Sequence, residues 1–324
     1  MSSIERLVEE GDLDELVRLV DRLCSTREWD GLVELRDRCR WALERGKQLW
    51  PAASLAEYRL ALEAPGEWAA GVIVEGAGRF ALGPLPEVAA STHTWTELHP
   101  HLEPGPLAAI TAHERVVRGE DLRDAPGIDG SVLEVPLALC SWEPSYPVAE
   151  YKPDKAEFPM PPEIELTPIT LRPGTTTNDT ATTSALLALT SRWTIESDGR
   201  ADAVAVRGDG VAAIAALGVR RARAAEVDCA TAMAHMAWAA ASGGAHGRRR
   251  GMASGRFDAW WALVAVAGAL DDWPLAPDEV GDAASSLRWF VWDAFEPKTG
   301  WWLRLAIEDP DEGLAWAVAA ADSA

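Results

Sequence analysis

Prolines divide this chain into regions of different character. Ten prolines lie between residues 126 and 173 of a 324-residue sequence. Proline fixes φ and removes the backbone N–H that a helix or a central strand needs, so this stretch excludes a continuous helix. The regions on either side have different hydrophobic periods, and domains have a usual size of roughly 150 residues. We therefore expect a helical domain at residues 1–123, a proline-rich connecting segment at 124–185 and a third region at 186–324.

The region before the prolines has the apolar spacing of successive helices. Asp12 precedes the first strong stripe and Glu15 follows three residues later, as in a capping box with Asp in place of Ser or Thr. Pro51 and the pair Pro65-Gly66 mark a helix start and a helix stop. These signals indicate an array of helical hairpins or an irregular bundle, with helices over residues 13–23, 29–45, 51–62, 67–73, 87–96 and 106–118.

The proline-rich segment leaves two interpretations open. It is either a flexible linker or an ordered extended segment that wraps over a neighbouring part of the fold. Its many apolar side chains favour the second, because a solvated tether has few of them; they are Val132, Leu133, Val135, Leu137, Leu139, Trp142, Tyr146 and Tyr151. We expect an ordered wrapping segment as far as about residue 170, followed by a short polar hinge over residues 175–180.

The region after residue 185 mixes helix and strand periods. Residues 192–197 and 203–207 flank a glycine-containing turn and predict a β-hairpin. Alternation over residues 301–308 and a return over 314–319 predict a second hairpin. Helices are predicted over residues 210–217, 225–242, 254–270 and 277–294. The expected fold class is α+β, mostly α, with β-hairpins packed on helices.

The composition excludes several classes of partner. Asp and Glu outnumber Lys and Arg by 51 to 30, which gives a formal charge of −21. Such a field repels phosphate backbones and anionic lipid surfaces. No apolar run reaches the roughly 18 residues of a membrane span, and the N-terminus lacks the basic and apolar regions of a signal peptide. We expect a cytoplasmic protein with no nucleic-acid partner and no membrane partner.

The residue types that bind metals form no recognisable motif here. Cys24, Cys39, Cys140 and Cys229 are far apart, which favours reduced thiols over a zinc site or a disulfide framework. A group of histidines lies close together in the sequence, but its spacing matches no metal motif; these are His93, His99, His101 and His113. We expect no metal and no cofactor.

The most unusual segment, residues 242–256, has the sequence SGGAHGRRRGMASGR. Glycines let a backbone approach a ligand closely, and the helix that follows offers N–H groups to an anion. Arginine side chains bind carboxylates and phosphates through two parallel hydrogen bonds. The segment therefore predicts a pocket for an anion or a phosphate ester, with His246 as a hydrogen-bond donor or general acid.

Alternatives to this pocket stay open. The arginines could pair with nearby carboxylates such as Asp258, Asp271 and Asp272, since structural ion-pair networks produce similar clusters. His235 lies in an alanine-rich apolar helix, where a histidine is usually a satisfied core residue and small neighbours permit close helix packing. If the ring of His235 reached the same cavity as His246 and the arginines, it would become a candidate general base. The candidate ligand-binding residues are His235, His246, Arg248, Arg249, Arg250 and Arg256, and no catalytic residue is assigned.

Three runs carry a resemblance to a known family. They are GAHGRRRG at residues 244–251, GRFDAWWALV at 255–264, and GWWLRLAIEDP at 300–310 with GLAW at 313–316. Over the last third of the chain the sequence resembles an actinobacterial domain family of unknown function. The resemblance implies a bacterial origin and a shared domain, but no activity.

Two function hypotheses follow. The leading one is a cytoplasmic bacterial protein-interaction or regulatory protein, with an unidentified protein partner and an anionic small molecule bound by residues 242–256. The alternative is an enzyme acting on a phosphorylated or carboxylated small molecule, with His246 and His235 as acid–base groups. An enzyme needs these groups in one cavity. In an interaction protein, the arginines would point in different directions or pair with carboxylates of the protein. Its helices would expose an apolar groove.

Overall fold

A computed structural model describes residues 3–297 and 299–323 of the chain. These residues form two compact units. The first contains the chain up to Val132 together with Ala149–Phe158, and the second contains Leu133–Val148 and the residues from Pro159 onward. Parts of the proline-rich segment therefore belong to each unit.

The first unit is mainly helical, as the apolar stripes predict. Its helices pack around α4, in which ten residues are buried because neighbouring helices cover several of its faces. The described helices are α1 (Ser3–Glu10), α2 (Leu13–Thr26), α3 (Trp29–Glu44), α4 (Trp50–Glu63), α5 (Gly66–Ala70), α6 (Leu85–Thr92), α7 (Trp95–Leu98) and α8 (Pro106–Val116), with a 3-10 turn at His99–His101.

Side-chain caps explain two helix starts in this unit. The Asp12 side chain accepts a hydrogen bond from the Glu15 backbone N–H at 3.1 Å, which fixes the start of α2 where the sequence predicts it. Residues 87–96 are predicted as one helix but form α6 and the start of α7. The break has a local cause: Thr94 and Glu97 form a capping box, so a new helix begins at Trp95.

A two-stranded hairpin of the proline-rich segment completes the first unit. It consists of β1 (Glu150–Tyr151) and β2 (Ala156–Glu157). The Tyr151 hydroxyl donates a buried hydrogen bond of 2.7 Å to Glu87 on α6, and the Tyr58 hydroxyl donates to the Lys152 carbonyl. These contacts show that this part of the segment is ordered and packed.

The second unit combines helices with a seven-stranded antiparallel sheet, so the α+β fold class is confirmed. The strand order is β3-β6-β7-β8-β9-β5-β4. Its elements are β3 (Thr167–Ile169), β4 (Thr175–Thr177), α9 (Thr180–Ala188), α10 (Ser191–Ile195), β5 (Arg200–Arg207), α11 (Gly210–Ala216), β6 (Ala222–Val227), α12 (Cys229–Ala241), α13 (Met252–Val266), a 3-10 turn (Leu270–Asp272), α14 (Pro277–Ser286), β7 (Arg288–Asp293), β8 (Trp301–Asp309) and β9 (Leu314–Asp322).

The hairpin predicted near the C-terminus is confirmed as β8 and β9. The two strands pair antiparallel from Trp301 with Asp322 to Asp309 with Leu314. Asp309 closes the turn, because its Oδ1 accepts the backbone N–H groups of Asp311 and Glu312 at 3.0 and 3.1 Å. The central strands of this sheet are buried on both faces. One set of alternate residues packs with α11, and the other set is also buried, including Val291, Leu303, Leu305 and Val318.

The hairpin predicted from residues 192–197 is wrong. Residues 191–195 form helix α10, and β5 pairs with β9 and β4 instead. A strand would place Trp193 and Ile195 on the same face. Trp193 is fully buried whereas Ile195 is 77% exposed, so the alternation of apolar residues here does not mark a buried face.

Three other predictions at element boundaries are also wrong. The helix predicted over residues 225–242 begins at Cys229, because the Asp228 side chain caps it by accepting the Thr231 N–H at 2.8 Å. Residues 288–293 form strand β7, although a helix is predicted to continue through them; aromatic and β-branched residues favour this pairing. The predicted polar hinge contains the edge strand β4.

The described part of the chain has no helix long and apolar enough to cross a bilayer. It also contains no disulfide, and all four cysteines are present as thiols. Burial raises the pKa of Cys24 to about 11, against the nearby Arg59 charge, and that of Cys39 to about 12. Because the thiolate is the reactive form, these two residues are poor nucleophiles.

Candidate functional site

The glycine-rich segment predicted to bind an anion does bind carboxylates, but they belong to the protein itself. The Ala245 N–H donates to Asp322 Oδ2 at 2.6 Å, and the Arg248 N–H donates to Glu196 Oε2 at 3.2 Å. The His246 N–H donates to the Ser197 hydroxyl at 3.2 Å. These backbone donors therefore connect the segment to the end of β9 and to the turn after α10. The His246 and Arg248 side chains are exposed.

Two of the candidate arginines pair with carboxylates of the same unit. Arg250 contacts Asp258, the carboxylate expected from the sequence as a structural partner. Burial raises the pKa of Asp258, and the Arg250 charge opposes this effect. Arg256 is fully buried and binds both carboxylate oxygens of Glu143, each at 2.7 Å. Its remaining donors bind backbone carbonyl groups of the 133–148 segment.

His235 lies on α12. It is 6% exposed, and its ring centroid is 6.2 Å from that of Trp302. The small cavity beside it has a volume of about 140 Å³ and is lined also by Met160 and Ile164. His246 and the four arginines are not among its lining residues. The structure therefore does not bring the predicted ligand-binding residues together around this cavity.

The histidines of residues 93–113 form no metal centre in the described parts of the chain, where no group of three metal-binding side chains is present. His93 is buried, and its Nε2 lies 2.7 Å from the Ala64 carbonyl oxygen. His99 packs against Trp95 with ring centroids 5.3 Å apart. His113 is fully buried within α8. These contacts indicate packing roles.

A second site, not predicted from the sequence, lies in the helical unit. It is a groove of about 830 Å³ between α3, the start of α4 and the loop of residues 74–82, which we call the α3–α4 groove. Its aromatic lining consists of Trp41 on α3, Trp50 on α4 and Phe80 on the loop. The ring centroids of Trp50 and Phe80 are 3.9 Å apart, with a tilt of 39°. Charged residues also line it, including Arg40, Glu57 and Arg79.

The groove concentrates exposed apolar surface. Trp41 is 58% exposed and Phe80 is 48% exposed, whereas most large apolar residues of the chain are buried. Leu43 lines the groove as well, and Val74 and Leu82 extend the exposed apolar residues along the same loop. Trp41 also lies beneath the guanidinium of Arg45, 4.6 Å from its ring centroid. Contiguous apolar surface of this kind is typical of interaction sites.

One buried carboxylate connects both walls of the groove. Glu57 is 2% exposed, and its Oε2 accepts the Gly78 backbone N–H of the loop at 2.6 Å. Arg40 Nε on α3 lies 2.7 Å from Glu57 Oε1. Burial raises the pKa of the Glu57 carboxyl, against the opposing effects of the Gly78 N–H and the Arg40 charge. Glu57 therefore fixes the loop to α4 through a hydrogen bond and forms an ion pair with Arg40 on α3.

A sequence signal for this groove exists in α3. Leu35, Cys39 and Ala42 follow helical spacing and are fully buried. Trp41 precedes Ala42 by one position, which places it about 100° around the helix, away from that stripe. Helical spacing alone therefore separates Trp41 from the buried face of α3. A large aromatic residue outside the apolar stripe is the feature that marks the site.

Comparison with known proteins places the chain in a family but gives no activity. The searches of curated proteins and of solved structures found no match. The family of unknown function DUF6183 matches residues 14–324. The resemblance assigned to the last third of the chain therefore extends over most of its length. This chain belongs to the DUF6183 family of unknown function.

Proposed function

We propose that this protein is an interaction protein that binds a segment of a partner protein in the α3–α4 groove. The observation that carries the proposal is the exposure of Trp41 and Phe80 beside the Trp50 ring. Aromatic residues in such grooves supply much of the binding energy of protein interfaces. The cytoplasmic location and the actinobacterial origin stay predictions.

The shape of the apolar surface favours a protein segment over a small molecule. Val74 and Leu82 lie outside the lining of the groove but continue its exposed apolar residues along the 74–82 loop. A small ligand would fill the groove and leave these side chains in water. An amphipathic helix or an extended segment that reaches beyond the groove would cover them as well.

The arrangement of the arginines also favours an interaction protein over the enzyme alternative. Arg250 and Arg256 pair with Asp258 and Glu143, two separate carboxylates. The backbone donors near His246 are likewise bound by groups of the protein. Such pairing is the pattern expected of a structural segment rather than of groups that converge on a substrate.

Selection of peptides on the full-length chain tests the proposal. We expect a random peptide library displayed on phage to give binders that share an apolar anchor residue. The double variant Trp41→Ala/Phe80→Ala should weaken their binding by about 30-fold or more, because the loss of even one buried aromatic hot-spot residue at an interface costs about 2 kcal/mol or more. Fluorescence anisotropy of labelled peptides measures this affinity.

A matched variant controls for the loss of any exposed apolar residue. Ile195→Ala removes a side chain that is 77% exposed in the second unit, so it should leave peptide binding unchanged. Peptides that bind the double variant as tightly as the original chain would refute the proposal. A self-association that the double variant abolishes, seen by sedimentation without peptide, would instead identify a second copy of the chain as the occupant.

A further inference from the structure

We propose that the cavity beside His235 binds a small neutral aromatic molecule, of about the size of a benzene ring. The cavity lies between α12, strands β7 and β8, and residues 160–164 of the proline-rich segment. All of its described lining residues belong to the second unit. The inference is independent of the proposed function, because the α3–α4 groove belongs to the first unit.

The cavity has a buried floor and an exposed rim. His235, Pro161 and Val291 line it and are buried, and we call them the floor. Met160 and Glu163 also line it but are exposed, and we call them the rim; the exposed fraction of Met160 is 47%. A small molecule can therefore enter from solvent at the rim and leave its water behind at the floor.

Prolines stiffen the wall of the cavity that residues 160–164 form. Pro161 and Pro162 both line the cavity. Each proline fixes its own φ angle and restricts the preceding residue to extended backbone, so residues 160–162 have little freedom to collapse into the open space. The wall is therefore preformed, and a ligand does not have to order it on binding.

The size and chemistry of the lining select the class of ligand. The cavity volume is about 140 Å³, and apolar protein cavities of roughly 150 Å³ bind benzene. The Trp302 ring, 6.2 Å from that of His235 between centroids, gives an aromatic ligand a ring to pack against. Among the described lining residues there is neither Arg nor Lys, and the carboxylate of Glu163 is at the rim. An anion would lose its hydration there without gaining a counter-charge.

NMR of the full-length chain labelled at the methyl groups of its five methionines tests the inference. Phenol is the probe, at a pH of about 8, where an ordinary histidine is neutral. It should shift the Met160 signal saturably, with a dissociation constant of about 1 mM or lower. The signal of Met252, a fully buried residue outside the lining, should stay in place. The variant Met160→Leu assigns the signal, and a Met160 signal without a saturable shift would overturn the inference.

Two substitutions that fill the cavity locate the bound phenol. Val291→Leu adds a methylene group at the floor, and Ile164→Phe adds a ring at the proline-rich wall. Each should weaken phenol binding by about tenfold or more, because the added atoms occupy the space of the ligand. Val204→Leu makes the same change in β5 outside the lining and should leave the affinity unchanged. If either filling variant, shown to be folded by its melting transition, bound phenol as tightly as the original chain, the cavity would not be the site.

A matched pair of ligands tests the preference for a neutral molecule. Benzamide and benzoate have nearly the same shape but differ in charge. The original chain should bind benzamide about tenfold or more tightly than benzoate, because only benzoate brings an unpaired charge into the cavity. Equal affinities would overturn the neutral class of ligand. Peptide binding that depends on Trp41 and Phe80 is measured separately, so the proposed function can stand or fail independently of this result.

Discussion

Replacing Glu143 with alanine is expected to lower the free energy of unfolding by about 4 kcal/mol, because it leaves the Arg256 guanidinium buried without a counter-charge. Both side chains of this pair are fully buried, and Arg256 binds both carboxylate oxygens. The melting temperature of the second unit should fall on the order of 10 °C. Calorimetry at pH 7 measures the change.

The expected effect depends on removing one partner rather than both. The double variant Glu143→Ala/Arg256→Met leaves no unpaired buried charge at this site, so it should be more stable than Glu143→Ala alone. The double variant should regain only part of the lost stability, because the carbonyl groups of Pro136 and Ala138 lose their Arg256 donors. A matched exposed pair is Arg288 with Glu226, whose partners are 45% and 52% exposed; Glu226→Ala should cost less than about 1 kcal/mol. If Glu143→Ala and Glu226→Ala lost the same free energy of unfolding, burial of the Arg256 charge would not be the cause of the loss.

The same pair gives a pH signature. Burial alone would raise the pKa of Glu143, but hydrogen bonds from Arg256 and Tyr146 and the Arg256 charge outweigh it, so the pKa is lowered. A carboxyl group with a lowered folded-state pKa contributes stability above its unfolded pKa and loses it as the pH falls through the folded value. The stability difference between the original chain and Glu143→Ala should therefore narrow below about pH 4. Urea titrations across this range would show it.

Elements with a strong local period are the parts of the fold that the sequence predicts. The stripe that begins at Leu13, the cap at Asp12 and the alternation over residues 301–308 each depend on contacts within a few residues. Strand β7 shows where this reasoning stops. Its residues pair with β6 and β8, and only these partners decide between a strand and a continued helix.

The candidate sites illustrate the same limit. Residues 242–256 carry the donors expected for an anion, and the prediction of anion-binding chemistry follows from local residue types. Which anion they bind depends on residues distant in sequence: Asp322 lies 77 positions from Ala245, and Glu143 lies 113 positions from Arg256. For Trp41, the sequence shows that the residue lies outside the apolar stripe of α3. Its exposure cannot be predicted in the same way, because it depends on which neighbouring elements leave that side of α3 uncovered.

Replacing Gly255 with alanine is the second change for which we expect a large loss of stability. The crossing of α12 and α13 has no room for a side chain at this position. A Cβ atom there would lie 2.2 Å from the Ala237 carbonyl oxygen and 2.9 Å from the Ala241 Cβ. Both belong to the α12 backbone or are fixed to it, so the helices must move apart. Overpacking of this kind costs about 3 kcal/mol, which outweighs the higher helix propensity of alanine.

The same substitution at Gly31 is the matched control. Gly31 lies in helix α3, where the tightest contact of a Cβ atom would be with the Leu23 side chain at 3.1 Å, and Glu28 Cβ would lie at an ordinary 3.9 Å. That side chain can shift by a few tenths of an ångström, and alanine gains about 1 kcal/mol in helix propensity. Gly31→Ala should therefore leave the chain as stable as before or slightly more stable. Calorimetry distinguishes the two variants, and an unchanged melting temperature for Gly255→Ala would show that α12 and α13 separate more easily than their contact distance implies.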